Sequence, residues 1–375
     1  MTEAPTSIFE TTVKHFLAPV MEFLNDPRIT EIMINSASDI YVEREGQVVH
    51  TDAKFESEDM LRAAINNVLQ YTGKRIQDDH PLVDARLPDG SRVHVVLPPL
   101  CRNGNCMSIR KFSKVTLTAQ FLLDCGSWTP EVMDYIRMMV LSEKNLLVAG
   151  GTSSGKTCLL NVISEFIPES SRIVTIEDSA ELELQQGHVV TLEGRGADRW
   201  GRGEVTIRDL FRSSLRLRPD RIVIGEVRGG EALDMIQAMT SGHAGSMSTL
   251  HANTALDTLS RLETMALMSK VEIPLHALRS QISSAIDMVV LMNRLPDGSR
   301  VITEVAEVLQ LDDHGHYRIQ TMFRYELTDG KDGKRVGHLV WTGNRSVFRD
   351  ESRVQIHRDS WGLAAPMLTD PEDDE

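Results

Sequence analysis

Residues 150–157 read Gly-Gly-Thr-Ser-Ser-Gly-Lys-Thr and follow directly on the apolar run Leu146-Leu147-Val148-Ala149. No other feature constrains the chain so much. A G-x-x-x-x-G-K-[ST] segment closes around phosphate only where a buried strand delivers it and a helix starts behind it, and Cys158-Leu159-Leu160-Asn161-Val162-Ile163 supplies that helical pattern. The glycines let backbone N–H groups turn inward around an anion, and the helix N-terminus adds partial positive charge. The motif predicts a nucleotide cradle made of Gly150, Gly151, Thr152, Ser153, Ser154, Gly155, Lys156, Thr157 and Cys158. Lys156 is the point charge for the β- and γ-phosphates, and the Thr157 hydroxyl is placed for Mg²⁺. A cradle alone does not separate a motor from a small-molecule kinase or a GTPase.

The surroundings narrow the choice. Apolar strands are expected at Leu146–Ala149, Ile173–Ile176, Arg221–Ile224 and Ser246–Leu250, alternating with helices at Pro130–Leu141, Thr206–Leu217, Gly230–Met239 and Ala255–Met268. Such alternation marks a parallel sheet covered by helices. Two of these strands run into acids, Glu177-Asp178 and Glu226. Strand C-termini face the ligand crevice in an open α/β sheet, so both acids should converge on the cradle. Transfer of a phosphoryl group to water needs one carboxylate to orient the water and another to hold Mg²⁺, directly or through water. Glu226 is assigned the first role and Glu177 the second; the alternative is that either merely caps the following helix. His243 and His251 flank the strand at 246–250 and could hydrogen-bond a phosphate or water. As a zinc site the pair lacks a third ligand.

Before the cradle, the chain reads as a small α+β domain. A helix is expected from Phe9 to Leu24, strands at Glu31–Ile34, Ile40–Glu43, Arg92–Val96 and Met107–Arg110, and a helix capped at Ser57 running to Tyr71. The predicted architecture is α/β: a small α+β N-terminal domain with its linker (1–125), a P-loop domain built on a parallel sheet covered by helices (126–325) and a polar C-terminal tail (326–375). A net charge of −14 argues against non-specific attraction to nucleic acid. Four scattered cysteines carry no metal or disulfide spacing. The opening Met1-Thr2-Glu3-Ala4-Pro5 lacks signal-peptide character, and no run nears the roughly 20 apolar residues of a membrane span. A cytoplasmic chain is expected, acting on a membrane only through a partner.

Several motifs in one register carry a resemblance. Ile176-Glu177-Asp178-Ser179-Ala180-Glu181-Leu182 resembles an Asp box, Arg218–Gly229 an atypical Walker B, and Gly242-His243 through His251-Ala252-Asn253 a His box. With Glu31–Asn35, Tyr41–Gly46, Asp84–Arg92 and Ser108–Phe112, they resemble the secretion and pilus-assembly ATPases of the type II/type IV secretion superfamily, nearest the CpaF/TadA branch of Tad/Flp-type pilus motors. Ser36–Asp39 departs from that branch at a turn, and nothing after about residue 325 matches it. The resemblance implies a PAS-like first domain and a RecA-like P-loop ATPase second domain, in a homohexameric ring that hydrolyses Mg-ATP at sites between the two, peripheral to the inner membrane and acting on platform proteins there. It also implies arginines from the first domain at the phosphates, where Arg92 and Arg110 fall; Arg228 would pair with an acid near the site or across the ring. Two other readings stay open: a conjugative or effector-exporting type IV secretion ATPase with the same chemistry, and a RecA- or helicase-type nucleic-acid motor. The second would want stacking aromatics, and the chain has 5% aromatic residues.

Overall fold

A computed structural model describes residues 8–74, 76, 81–111, 117–197, 201–329, 335–361 and 367. Met1–Pro5 and Phe112, both used above, and part of the expected tail lie outside these residues. The chain divides into two compact units, Met1–Thr116 and Leu117–Glu375.

In the first unit Pro19 interrupts the helix expected from Phe9 to Leu24. Helix α1 (Ile8–Phe16) ends before it, a short 3₁₀ turn (Ala18–Val20) takes up the ring, and α2 (Met21–Asn25) follows. Strands β1 (Ile29–Ser36), β2 (Asp39–Arg44) and β3 (Gln47–His50) lead to α3 (Glu58–Tyr71), then to β4 (Leu82–Arg86), β5 (Arg92–Val96) and β6 (Cys106–Arg110). The Ser57 hydroxyl caps α3 by accepting the Met60 N–H at 3.2 Å. Leu61, Ala64, Ile65, Val68 and Leu69, spaced for one helical face, are all buried. The six strands form one antiparallel sheet in the order β3-β2-β1-β6-β5-β4, and its core includes Ile32, Ile34, Val93, Val95 and Ile109.

The second unit opens with α4 (Ala119–Asp124) and α5 (Pro130–Leu141). After these come β7 (Leu146–Gly150), α6 (Lys156–Ser164), β8 (Ile173–Glu177), β9 (Val189–Glu193), α7 (Ile207–Ser214), β10 (Arg221–Ile224), α8 (Glu231–Thr240), β11 (Met247–His251), α9 (Ala255–Leu267) and α10 (Leu275–Ala285). The chain then adds β12 (Met288–Arg294), β13 (Arg300–Leu309), β14 (Arg318–Asp329), β15 (Arg335–Trp341) and α11 (Ser352–Trp361). A nine-stranded sheet results, in the order β15-β14-β13-β12-β7-β11-β10-β8-β9. The strands from β9 to β12 are parallel, whereas β13, β14 and β15 extend the sheet antiparallel. Along β7 the side chains alternate: Leu146 and Val148 join a core with α5 and α6, Leu147 and Ala149 one with α7 to α10.

The polar tail expected from residue 326 is corrected here. β14 runs on through Asp329, β15 pairs with it, and Phe348, Val354 and Met367 are buried in the same core as α5 and α6. Scattered short apolar stretches do this burying, so no periodic run announces it. None of the helices among the described residues is long and apolar enough to cross a membrane.

Candidate active site

Because β7, β8, β10 and β11 are parallel, their C-terminal ends share one edge of the sheet, and the cradle sits at the end of β7. Gly150 packs so tightly against β12 that a β-carbon would stand 2.1 Å from the Met292 carbonyl oxygen. Gly155, at φ 97°, hands the loop over to α6 in the left-handed region that favours glycine. Lys156 is buried in the first turn of α6, Thr157 is half-buried beside it and Cys158 is exposed. Thr152 is exposed on the loop, and the Ser154 hydroxyl donates to the Gly151 carbonyl at 3.0 Å.

Strand register brings three chemical groups together. His251 lies level with Gly150 across β11 and β7. Beyond β10 the Val227 N–H donates to the Thr249 carbonyl at 2.9 Å, which holds Glu226 at the same edge. The Lys156 ammonium donates to the Gly151 carbonyl at 2.8 Å and lies 3.4 Å from His251 Nδ1, while His251 Nε2 lies 3.2 Å from Glu226 Oε1. An ammonium can only donate and a carboxylate only accept, so these partners assign the tautomer: Nδ1 accepts and Nε2 carries the hydrogen. Burial, and then the Lys156 charge, push the His251 pKa below its ordinary value, so the ring is neutral near pH 7. Burial pushes Glu226 up, but the Arg228 hydrogen bond and the charges of Arg228 and Lys156 outweigh it and hold the carboxyl below its usual range. Arg228 grips Glu226 Oε2 at 2.8 Å and reaches Asp178 Oδ2 at 3.3 Å. A cleft of about 370 Å³ opens beside Glu226 and Arg228, lined also by Asp178, Arg195 and Glu204.

Glu177 is used differently. Its buried carboxylate accepts the backbone N–H groups of Glu181 at 3.0 Å and Leu182 at 3.2 Å, closing the turn that follows β8. β9 and not a helix follows β8, so this is a turn contact and not the helix cap weighed above, and it takes both oxygens. His243 departs from expectation more sharply. β11 carries the chain from Met247, level with Leu146, to His251, level with Gly150, so His243 sits at the opposite edge of the sheet from the cradle. A five-residue strand covers about 16 Å. There the His243 carbonyl accepts the Ser246 hydroxyl at 2.8 Å and the buried Nδ1 has no hydrogen-bond partner. Arg92 and Arg110 lie directly opposite each other on β5 and β6 of the first unit, with Arg86 opposite Arg92 on β4.

Sequence reasoning missed two residues at the cradle, Arg300 of β13 and Met292 of β12, which lie 3.2 Å from where a β-carbon on Gly155 would stand. Nothing local in the sequence signals a contact between segments so far apart.

Residues 14–326 match the family described as type II/IV secretion system protein. The chain belongs to that family. A protein of Mycobacterium tuberculosis named for conjugal transfer is 32% identical over 76% of this chain and 82% of its own length. The type IV secretion system protein VirB11 of Brucella suis is 32% identical over 78% of this chain and 90% of its own. Among solved structures, the Legionella pneumophila ATPase DotB is similar in fold, with a TM-score of 0.54 at 22% identity over 80% of this chain and 82% of that one. An intact cradle in this family makes the chain an ATPase, one of the secretion and pilus ATPases.

Proposed function

We propose that this chain is a ring-forming motor in which Mg-ATP hydrolysis drives assembly of a Tad-type, type IV-like pilus from the cytoplasmic face of the inner membrane. The observation that carries the reading is the Lys156–His251–Glu226 chain at the cradle edge. Its chemistry suits water attack on a γ-phosphate. Glu226, kept ionised by Arg228, accepts a hydrogen bond from the attacking water and orients it. Lys156 moves from the Gly151 carbonyl and His251 onto β- and γ-phosphate oxygens, and the imidazole ties that shift to the position of Glu226. Backbone N–H groups of residues 151–156 surround the phosphates.

Magnesium suits the donor set. No group of three His, Cys, Asp or Glu side chains among the described residues could hold a metal, and Mg²⁺ in such enzymes rests on one or two protein oxygens plus phosphates and water. Thr157 would hold it, and the ion would screen the phosphate charges. Glu177, fastened to two amides, would act through water. Arg92 and Arg110, paired across two strands, would bring positive charge to the phosphates within a homohexamer, where opening and closing of domains does work on platform proteins. His243 has no part in this chemistry.

A second reading, export through a conjugative or type IV secretion channel, is favoured by the relatives at 32% identity. Capture from native membranes with ATP-loaded Glu226→Gln separates the two. A pilus platform protein supports the motor reading and channel components support export. A chain that hydrolyses ATP only when single-stranded DNA is added overturns both.

A further inference from the structure

Ser153 stands at the crest of the cradle with φ 57°, a left-handed conformation that a non-glycine residue holds only when its surroundings impose it. One group that does so lies on β13. The Arg300 Nε donates to the Ser153 carbonyl at 3.1 Å, while Arg300 Cδ packs over Gly155. The crest carbonyl is thereby engaged by β13, and an anion in the cradle would meet the loop's N–H groups.

Arg300 is itself held from behind. Its carbonyl accepts the Ser127 hydroxyl at 2.6 Å, and the Ser127 carbonyl accepts the Ile302 N–H at 2.9 Å. Ser127 is 4% exposed and closes the α4 segment, which begins the second unit at Leu117. The next residue, Trp128, donates to the Ala119 carbonyl at 3.1 Å and stacks at 6.2 Å on Phe166, just past the far end of α6. The segment leading out of the first unit therefore touches the cradle's supports at both ends of the loop and its helix.

We propose that Arg300 is a positioning residue for the phosphate cradle and that Ser127 sets Arg300, so that nucleotide affinity and the order of the 117–129 segment are coupled. Arg300 touches no reacting group in this scheme; it acts through the backbone of Ser153. Coupling of this kind is reciprocal: what loosens the segment weakens nucleotide, and nucleotide tightens the segment. The inference rests on the assignment of residues 150–157 as the nucleotide cradle.

The test measures ADP affinity and ATPase kinetics on the full chain. Arg300→Met keeps the apolar contact with Gly155 and removes the donor. It should raise the ADP Kd and the KM for ATP about tenfold, the worth of one hydrogen bond to a charged group, with kcat within about twofold. Arg300→Lys should recover part of that loss. Ser127→Ala should raise KM about threefold in the parent chain and add nothing in the Arg300→Met background, as expected of residues acting through one element. Lys156→Ala in the same assay should lose nucleotide. If it does so while Arg300→Met binds as the parent does, Arg300 has no positioning role. A fall in kcat at unchanged KM also overturns the inference, and additive Ser127 and Arg300 effects overturn the link between them. Parent-like binding by Lys156→Ala overturns the cradle assignment instead, and this inference with it.

Discussion

The two edges of the parallel sheet use the same residue types to opposite ends. At the edge away from the cradle, Lys144 lies 2.7 Å from Glu351 and 3.6 Å from Asp287, with its ammonium 3.9 Å over the Phe348 ring. Glu143 bridges Arg221, at 3.2 Å, and Arg353. Asp287 also accepts the Asn145 N–H at 2.8 Å. These pairs tie α11 to the sheet, and each cation faces a carboxylate. At the cradle edge the Lys156 ammonium donates to a carbonyl and lies beside a neutral imidazole. A cation paired to a buried carboxylate is costly to separate, because the partner is left charged and dry. Lys156 can exchange the Gly151 carbonyl for a phosphate oxygen while Glu226 keeps Arg228 as its partner. The strap joins cations to carboxylates pair by pair, whereas the working edge links Lys156, His251, Glu226 and Arg228 into one chain.

The largest effect that would break this contrast lies at the working edge. Glu226→Gln should cut ATP turnover about a thousandfold or more while nucleotide still binds and the thermal midpoint stays put, as read by phosphate release and calorimetry. Lys156→Ala should likewise abolish turnover on an intact fold. At the other edge, Lys144→Met removes the cation beside Asp287, a carboxyl that burial already pushes above its ordinary pKa. Unfolding stability should drop by about 2 kcal/mol with kcat unchanged at low temperature; a kcat loss would show the edges to be coupled.

Acidification should separate the edges by their titrating groups. His251 has its pKa lowered from 6.5 by burial and by Lys156, so kcat/KM should hold steady down to about pH 6.5 and fall several-fold below it as the ring charges and ceases to accept from Lys156. The folded site resists that proton, so stability also declines as pH falls below the unfolded value. Glu226, held below its ordinary 4.5, stays ionised across this window. His251→Gln should flatten the acid limb, and a limb that survives in it belongs to another group. Smallest of all, His243→Gln at the strap edge should leave kcat and KM within about twofold of the parent.

Much of the site was legible in the sequence because a parallel sheet obeys a simple rule: strand ends meet. Leu146–Ala149, Arg221–Ile224 and Ser246–Leu250 were readable as apolar runs, and the rule alone brings Lys156, Glu226 and His251 to one edge. The same reasoning misled at His243, because two histidines flanking a strand occupy opposite edges of its sheet. Glu177 ends β8 as expected, but its use in closing the turn toward β9 depends on where the amides of Glu181 and Leu182 point. The antiparallel strands were least visible. Their contacts pair residues far apart in sequence, as Arg300 with Ser153, and the apolar anchors Phe348 and Val354 belong to no apolar run longer than two residues.

The close fit of Gly150 beneath the Met292 carbonyl bears on how the protein is made. Residues 150–157 leave the ribosome long before β12 exists to pack against them. A nascent chain halted between the two would carry the whole phosphate motif without the strand that moulds it, and ATP binding should switch on late in synthesis, once β12 has emerged and docked beside β7.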